Sequence, residues 1–159
     1  GQPFSERTTA NIEYFFGREL ERWSEFREAP MLKRLPTHHS NSITPSNTML
    51  IAGLVKGINI DNLAQEMMMQ HWAYDCDLAD TDTLAKIALS VDIDPLPLLE
   101  ISNSKEVLKI YAENTKEAIE KSVFGSPTYF VDGDMFYGQD RLELVERALV
   151  TPFNKRIAK

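Results

Sequence analysis

The chain has 159 residues, 43% of them hydrophobic and 26% charged, with a formal net charge of −7. That length suits one compact domain, or a small core carrying an insert, and the composition is ordinary for a globular protein. The acidic balance argues against a duplex nucleic-acid binder, which needs a basic face to displace counterions. No run of about 18 apolar residues is present to cross a membrane.

A small anionic ligand remains compatible with this charge, because backbone N–H groups bind anions regardless of net charge. Cys76 is the only cysteine, so neither an intrachain disulfide nor a Cys-x-x-Cys pair forms. That fits a reducing cytoplasm. The opening Gly1-Gln2-Pro3-Phe4-Ser5-Glu6-Arg7 has no apolar core and is not a signal peptide. Lacking an initiator methionine, it reads as a cut end.

From Thr9 to about Glu28, Ile12, Phe15, Phe16, Leu20, Trp23 and Phe26 recur at three- and four-residue steps. This predicts a long amphipathic helix bounded by Pro30. An irregular stretch follows to Ser46. Thr44-Pro45 predicts an N-cap and first helical position, opening a helix to about Lys56 that Gly57 closes. Asp61 is expected to cap the next helix, which carries Leu63, Met67, Met68, His71, Trp72 and Tyr74. Further helices are predicted at about Thr81 to Ser90, at Pro95 to Leu99 behind Asp94, and at Ser104 to Lys121. The last of these should turn Val107, Leu108, Tyr111, Ala112, Ala118 and Ile119 inward.

At Val123 the period changes. Pro127 to Val131 and Met135 to Tyr137 read as strands around Asp132-Gly133-Asp134, a hairpin signal. Gly138 ends the hairpin, and Asp140 to Leu149 predicts a helix facing inward with Leu142, Leu144, Val145 and Leu149. Two strands alone are marginal in water, and no upstream segment reads as a partner strand.

The stretch Val123-Phe124-Gly125-Ser126-Pro127-Thr128-Tyr129-Phe130-Val131-Asp132-Gly133, then Phe136-Tyr137-Gly138-Gln139-Asp140-Arg141, resembles one family. It is similar to 2-hydroxychromene-2-carboxylate isomerases and kappa-class glutathione transferases, relatives of the DsbA-like oxidoreductases. Leu20-Glu21-Arg22-Trp23, Pro36-Thr37-His38-His39 and the helix around His71-Trp72 resemble that family's helical insert, so the likeness covers nearly the whole chain.

The resemblance implies an α/β class: a thioredoxin-like fold with a large all-helical insert. As this chain stands, that means mostly α with a C-terminal β-hairpin and helix. It divides into a flexible N-terminal segment at 1–8, a helical insert at 9–116, the C-terminal part of a thioredoxin-like domain at 117–150, and a tail at 151–159. The family's strand–helix–strand unit, with its catalytic serine and a substrate-contacting lysine, has no counterpart here. An N-terminally truncated chain is therefore expected, with the catalytic residue unassigned.

By resemblance, Ser126 and Pro127, joined by a cis bond, pair with the backbone of glutathione as an extended peptide. Tyr137, Gly138, Gln139 and Asp140 meet its γ-glutamyl end, whose carboxylate suits helix N–H groups and whose ammonium suits Asp140. His39 and Arg7 fall near the substrate. Plainer readings stand beside these. Pro127 could open an edge strand, Asp140 could complement a helix dipole, and Arg7 could belong to a loose end. His38 and His39 read as a solvated pair without a third ligand at metal spacing, so no metal is expected. Met67, Met68, Met69 and Trp72 read as core and pocket wall. Cys76 reads as an inert thiol, and Ser126 has no His-Asp pattern to make it a nucleophile.

The implied activity is glutathione-dependent isomerisation, by reversible thiol addition to a conjugated aromatic pyruvate. A DsbA-like thiol-disulfide oxidoreductase and a non-catalytic helical interaction module are the alternatives. Expected partners are glutathione and a small aromatic substrate, with a homodimer left open and neither nucleic acid nor membrane involved.

Overall fold

The structure is a computed structural model that describes residues 8–154, so Arg7 and the outermost ends lie outside the described residues. The chain divides into two compact units, Gly1–Tyr111 and Ala112–Lys159.

In the first unit, helix α1 (Thr9–Ile12) runs through a π-helical stretch, Glu13–Arg18, into α2 (Glu19–Arg27). Thr8 and Asn11 form a reciprocal capping box at its start. Glu28 ends it with φ of 53°, in the left-handed region. Four helices follow: α3 (Thr44–Val55), α4 (Asp61–Trp72), α5 (Thr81–Ser90) and α6 (Leu96–Ser102). The next, α7 (Lys105–Glu120), begins in the first unit and ends in the second.

Two expected caps are displaced. Thr44 and Asp61 sit inside the first turns of α3 and α4 rather than capping them. The side chains that accept their amide hydrogens are Ser42 Oγ, at 3.2 Å from Thr44 N, and Asn59 Oδ1, at 2.9 Å from Asp61 N. Asp80 does cap α5, accepting from Thr83 N and Oγ1 at 2.9 and 2.6 Å. Asp94 and Ser104 serve α6 and α7 in the same way.

The core of this unit is built from Met49, Ala52, Leu63, Leu84, Leu98 and Val107, essentially all inaccessible, with Ile51, Met67, Ile87 and Ala88 beside them. Burying each large aliphatic side chain contributes about 1.5–3 kcal/mol. Gly53 allows a close approach: a Cβ there would lie 2.5 Å from Ile60 Cγ2 and 3.7 Å from Leu98 Cδ2.

In the second unit, β1 (Thr128–Val131) and β2 (Asp134–Tyr137) pair antiparallel, with Thr128 opposite Tyr137 and Val131 opposite Asp134. Asp132 and Gly133 form the two-residue turn at φ of 50° and 82°. Positive φ at both positions is what a type I′ hairpin demands. Among the described residues the sheet has two strands, as the missing partner-strand signal suggests. A 3₁₀ turn, Gln139–Arg141, leads into α8 (Leu142–Val150), so the helix expected from Asp140 begins two residues later.

Phe136 and Ala148 are the buried apolar side chains among the described residues of this unit. Several residues expected to face inward do not. Leu20, Phe26, Tyr74, Leu108, Ile119, Leu142, Leu144 and Leu149 are exposed, Leu149 by 70% and Ile119 by 74%. In α8 the helix turns Ala148 inward, and Leu142 and Leu149 lie about a third of a turn off its stripe, whereas Leu144 shares that stripe and is still partly exposed.

Candidate functional site

Six sequence-expected residues gather at the open end of the hairpin. The Ser126–Pro127 bond is cis, as the resemblance implies. Gly138 N donates to Pro127 O at 3.0 Å and Thr128 Oγ1 donates to Gly125 O at 2.6 Å, so the segment entering β1 is tied to the one leaving β2. The Tyr137 ring is exposed, lying 5.8 Å from the Phe124 ring between centroids and close against Gly125. Gly138 adopts φ of 111°, and a Cβ there would fall 2.6 Å from Asp140 Oδ1. The backbone angle favours glycine, and the Asp140 carboxylate would have to shift to admit a side chain.

Asp140 Oδ2 pairs with Arg141 Nη1 at 2.6 Å, and Gln139 beside them is half-buried. A partly exposed carboxylate–guanidinium pair at the entry to a helix can exchange partners with a ligand bearing both an ammonium and a carboxylate.

His39 belongs to the first unit, in a separate cluster. Its loop is fastened by Asp75, which follows α4 in the left-handed region at φ of 63°. Asp75 accepts from Arg34 Nη2 at 2.5 Å, Thr37 N at 2.6 Å and Thr37 Oγ1 at 2.7 Å. The Arg34 guanidinium first, then the two Thr37 bonds, hold its carboxyl well below the usual range. Leu32 N also donates to Trp72 O at 2.8 Å.

So fastened, the loop sets His39 Nδ1 at 3.1 Å from His71 Nε2, with the rings stacked. His71 Nδ1 lies 3.1 Å from Cys76 O. The Trp72 ring stands 5.0 Å from that of His39 and 5.5 Å from that of His71. His38 faces another way, 3.6 Å from Asp77 Oδ2, which also accepts from Asn41 Nδ2 at 2.8 Å.

Two cavities flank the cluster. The smaller, about 220 Å³, is lined by His38, His39, Asn47, Met68, His71 and Trp72 among others. The larger, about 810 Å³ and mostly apolar, includes Leu20, Met31, Leu32, Leu35, His39 and Trp72.

The resemblance gives His39 a place near the substrate and His71 only a place on a helix of the insert. Their contact spans 32 residues, and no local spacing signals it. Cys76 Sγ lies 3.3 Å from Gln70 Oε1, half-buried. Among the described residues no group of three or more His, Cys, Asp or Glu side chains is arranged to hold a metal ion.

The chain is 29% identical to glutathione s-transferase kappa 2 of Caenorhabditis elegans, over 76% of this chain and 59% of the relative. It is 33% identical to a 2-hydroxychromene-2-carboxylate isomerase of Sphingobium xenophagum, over 50% of this chain and 40% of that one. The chain thus spans well under two thirds of either relative. A solved 2-hydroxychromene-2-carboxylate isomerase shares the fold, with a TM-score of 0.69 at 23% identity, over 94% of this chain and 70% of the other. These names are the ones the resemblance implies. The profile of the DSBA-like thioredoxin domain matches residues 3–150, nearly the whole length, and the chain belongs to that family.

Proposed function

We propose that this chain is part of a glutathione-dependent enzyme of the 2-hydroxychromene-2-carboxylate isomerase type, acting by reversible thiol addition to a conjugated aromatic pyruvate. The observation that carries the reading is the convergence of Ser126, Pro127, Tyr137, Gly138, Gln139 and Asp140 at one end of the hairpin. There, the backbone of Ser126 beside the cis bond is to pair with the extended tripeptide, and Asp140, at the entry to the helix, with the ammonium of its γ-glutamyl end. The names of the relatives support the choice of glutathione and of an aromatic substrate.

In this mechanism the thiolate adds to the conjugated carbon, the former double bond rotates, and elimination returns the thiol. Holding the reactants in line supplies much of the rate. The thiol-activating role is assigned to none of the described side chains. His39 and the apolar cavity beside Trp72 are proposed to meet the aromatic substrate. Arg7 is carried as a second substrate contact on the resemblance alone. A cytoplasmic, glutathione-rich setting belongs to the same proposal.

Calorimetric titration with reduced glutathione, repeated with S-methylglutathione, tests the site. Binding of both with similar affinity is expected, since the contacts proposed here lie on the peptide and not the sulfur. No binding of either by the longest form of the protein that can be produced would remove the hairpin end as a glutathione site.

A further inference from the structure

The His39–His71 contact constrains where hydrogens can sit. A carbonyl oxygen only accepts, so His71 Nδ1, 3.1 Å from Cys76 O, must carry the hydrogen. In a neutral ring this leaves His71 Nε2 with a lone pair. His39 Nδ1, 3.1 Å away, must then donate to it. The hydrogen of His39 is thereby placed on Nδ1, the opposite of the tautomer that free histidine mostly adopts. His39 Nε2 is left with its lone pair and no hydrogen-bond partner among the described residues, on a ring that lines both cavities. The turn that carries this carbonyl is itself fixed, since Cys76 N donates to Gln70 O at 2.9 Å.

We propose that His71 is a positioning residue, which locks His39 in the Nδ1–H form so that His39 Nε2 accepts from a ligand hydroxyl seated against Trp72. The Asp75 clasp holds the His39 loop in reach, and the apolar cavity walls favour an aromatic body for the ligand. If the proton transfers, the ligand O–H bond breaks, its electron pair stays on oxygen, and the proton joins His39 Nε2. The resulting imidazolium keeps its Nδ1–H on His71 Nε2, and the reverse step restores both partners. In form this is a base oriented by a second group, the logic of a nucleophile-activating triad without the nucleophile. The inference rests on the reading that His39 faces the aromatic substrate, and it adds His71 and the direction of the hydrogen bond.

Nitrogen-15 NMR of the imidazoles in the full chain reads the tautomer directly. At a pH where the rings are neutral, His39 is expected to show a protonated Nδ1 and a bare Nε2. Phenol and anisole serve as probes, since they share the ring and differ in the hydroxyl hydrogen. Phenol should bind roughly fivefold more tightly than anisole and shift His39 Nε2, the size of one neutral hydrogen bond. His71→Leu should return His39 to the Nε2–H form and erase the preference. His71→Gln, whose amide oxygen can accept from His39 Nδ1, should restore it.

A wild-type His39 protonated on Nε2 overturns the proposal, as does a phenol preference that survives in a folded His71→Leu chain. Failure of glutathione to bind while the tautomer and the preference hold would instead leave the proposal standing and remove the glutathione reading.

Discussion

The Asp140 carboxylate divides its oxygens between neighbours, with Oδ2 on Arg141 Nη1 and Oδ1 against the bare α-carbon of Gly138. Both side chains of the pair are about half exposed, so the ion pair itself contributes little to stability. A ligand ammonium that displaces Arg141 meets a carboxylate already oriented by the turn. Asp140→Asn keeps the shape and one acceptor oxygen but removes the charge. It should weaken glutathione binding by about 1.5 kcal/mol, roughly tenfold in Kd, while a denaturant melt moves little. Unchanged affinity in the calorimeter would reduce Asp140 to an ornament of the helix entry. Gly138→Ala is the harsher change, because φ of 111° and the Oδ1 contact both oppose a side chain. A loss of at least about 1 kcal/mol of stability is expected from it, read in the same melt.

At the scale of elements, two contacts carry tests. Gly53 of α3 faces Ile60, just ahead of α4, with Leu98 of α6 farther off, and a methyl there strikes the β-branch of Ile60. Gly53→Ala should cost about 1–3 kcal/mol by overpacking, offset by up to about 1 kcal/mol of better helix propensity. In an Ile60→Leu background, which removes the offending Cγ2, the cost should largely vanish; the double-mutant cycle measures that coupling.

The Asp75 clasp makes the second test. Its folded carboxyl is depressed, so its contribution is fully present above the ordinary carboxylate value and is lost as pH falls through the folded one. Wild type should therefore exceed Asp75→Asn in stability at neutral pH, and the gap should narrow as pH drops below about 4. A gap independent of pH would mean the carboxylate charge plays no part.

Much of this layer is legible in the sequence, because apolar period and Gly, Pro and Asp punctuation are local signals. Asp132-Gly133 announced its turn, and Asp94 and Ser104 announced their helices. Thr44 and Asp61 misled, since Ser42 and Asn59 offer equal chemistry two residues earlier. The exposure of Leu142, Leu144 and Leu149 and the His39–His71 bond depend on which elements meet. Nothing local encodes that.

Across the whole molecule, burial is distributed unevenly between the two units. The first holds a contiguous core of Met49, Leu63, Leu84, Leu98 and Val107, whereas the second hides only Phe136 and Ala148 among its described apolar side chains. Phe153 adds a ring 6.0 Å from that of Phe136, covered by the Arg147 guanidinium at 3.8 Å. A two-stranded sheet with so little cover is marginal by itself. The proposed glutathione contacts thus lie on the less secured part of the chain, where binding sites that order on ligation are commonly found.

Amide hydrogen exchange should show this directly. The amides of Tyr129 and Phe136 should exchange on the order of 100-fold faster than those of Ile51 and Ala52 in α3, corresponding to about 2.7 kcal/mol less protection. Phe136→Ala should abolish what protection β1, β2 and α8 have. A ligand that binds only the closed hairpin stabilises it by mass action, so glutathione at about 100 times its Kd should slow the hairpin amides by about 100-fold. Hairpin amides as slow as those of α3 without ligand would contradict the uneven burial. Hairpin rates indifferent to saturating glutathione would move the ligand off β1 and β2 altogether.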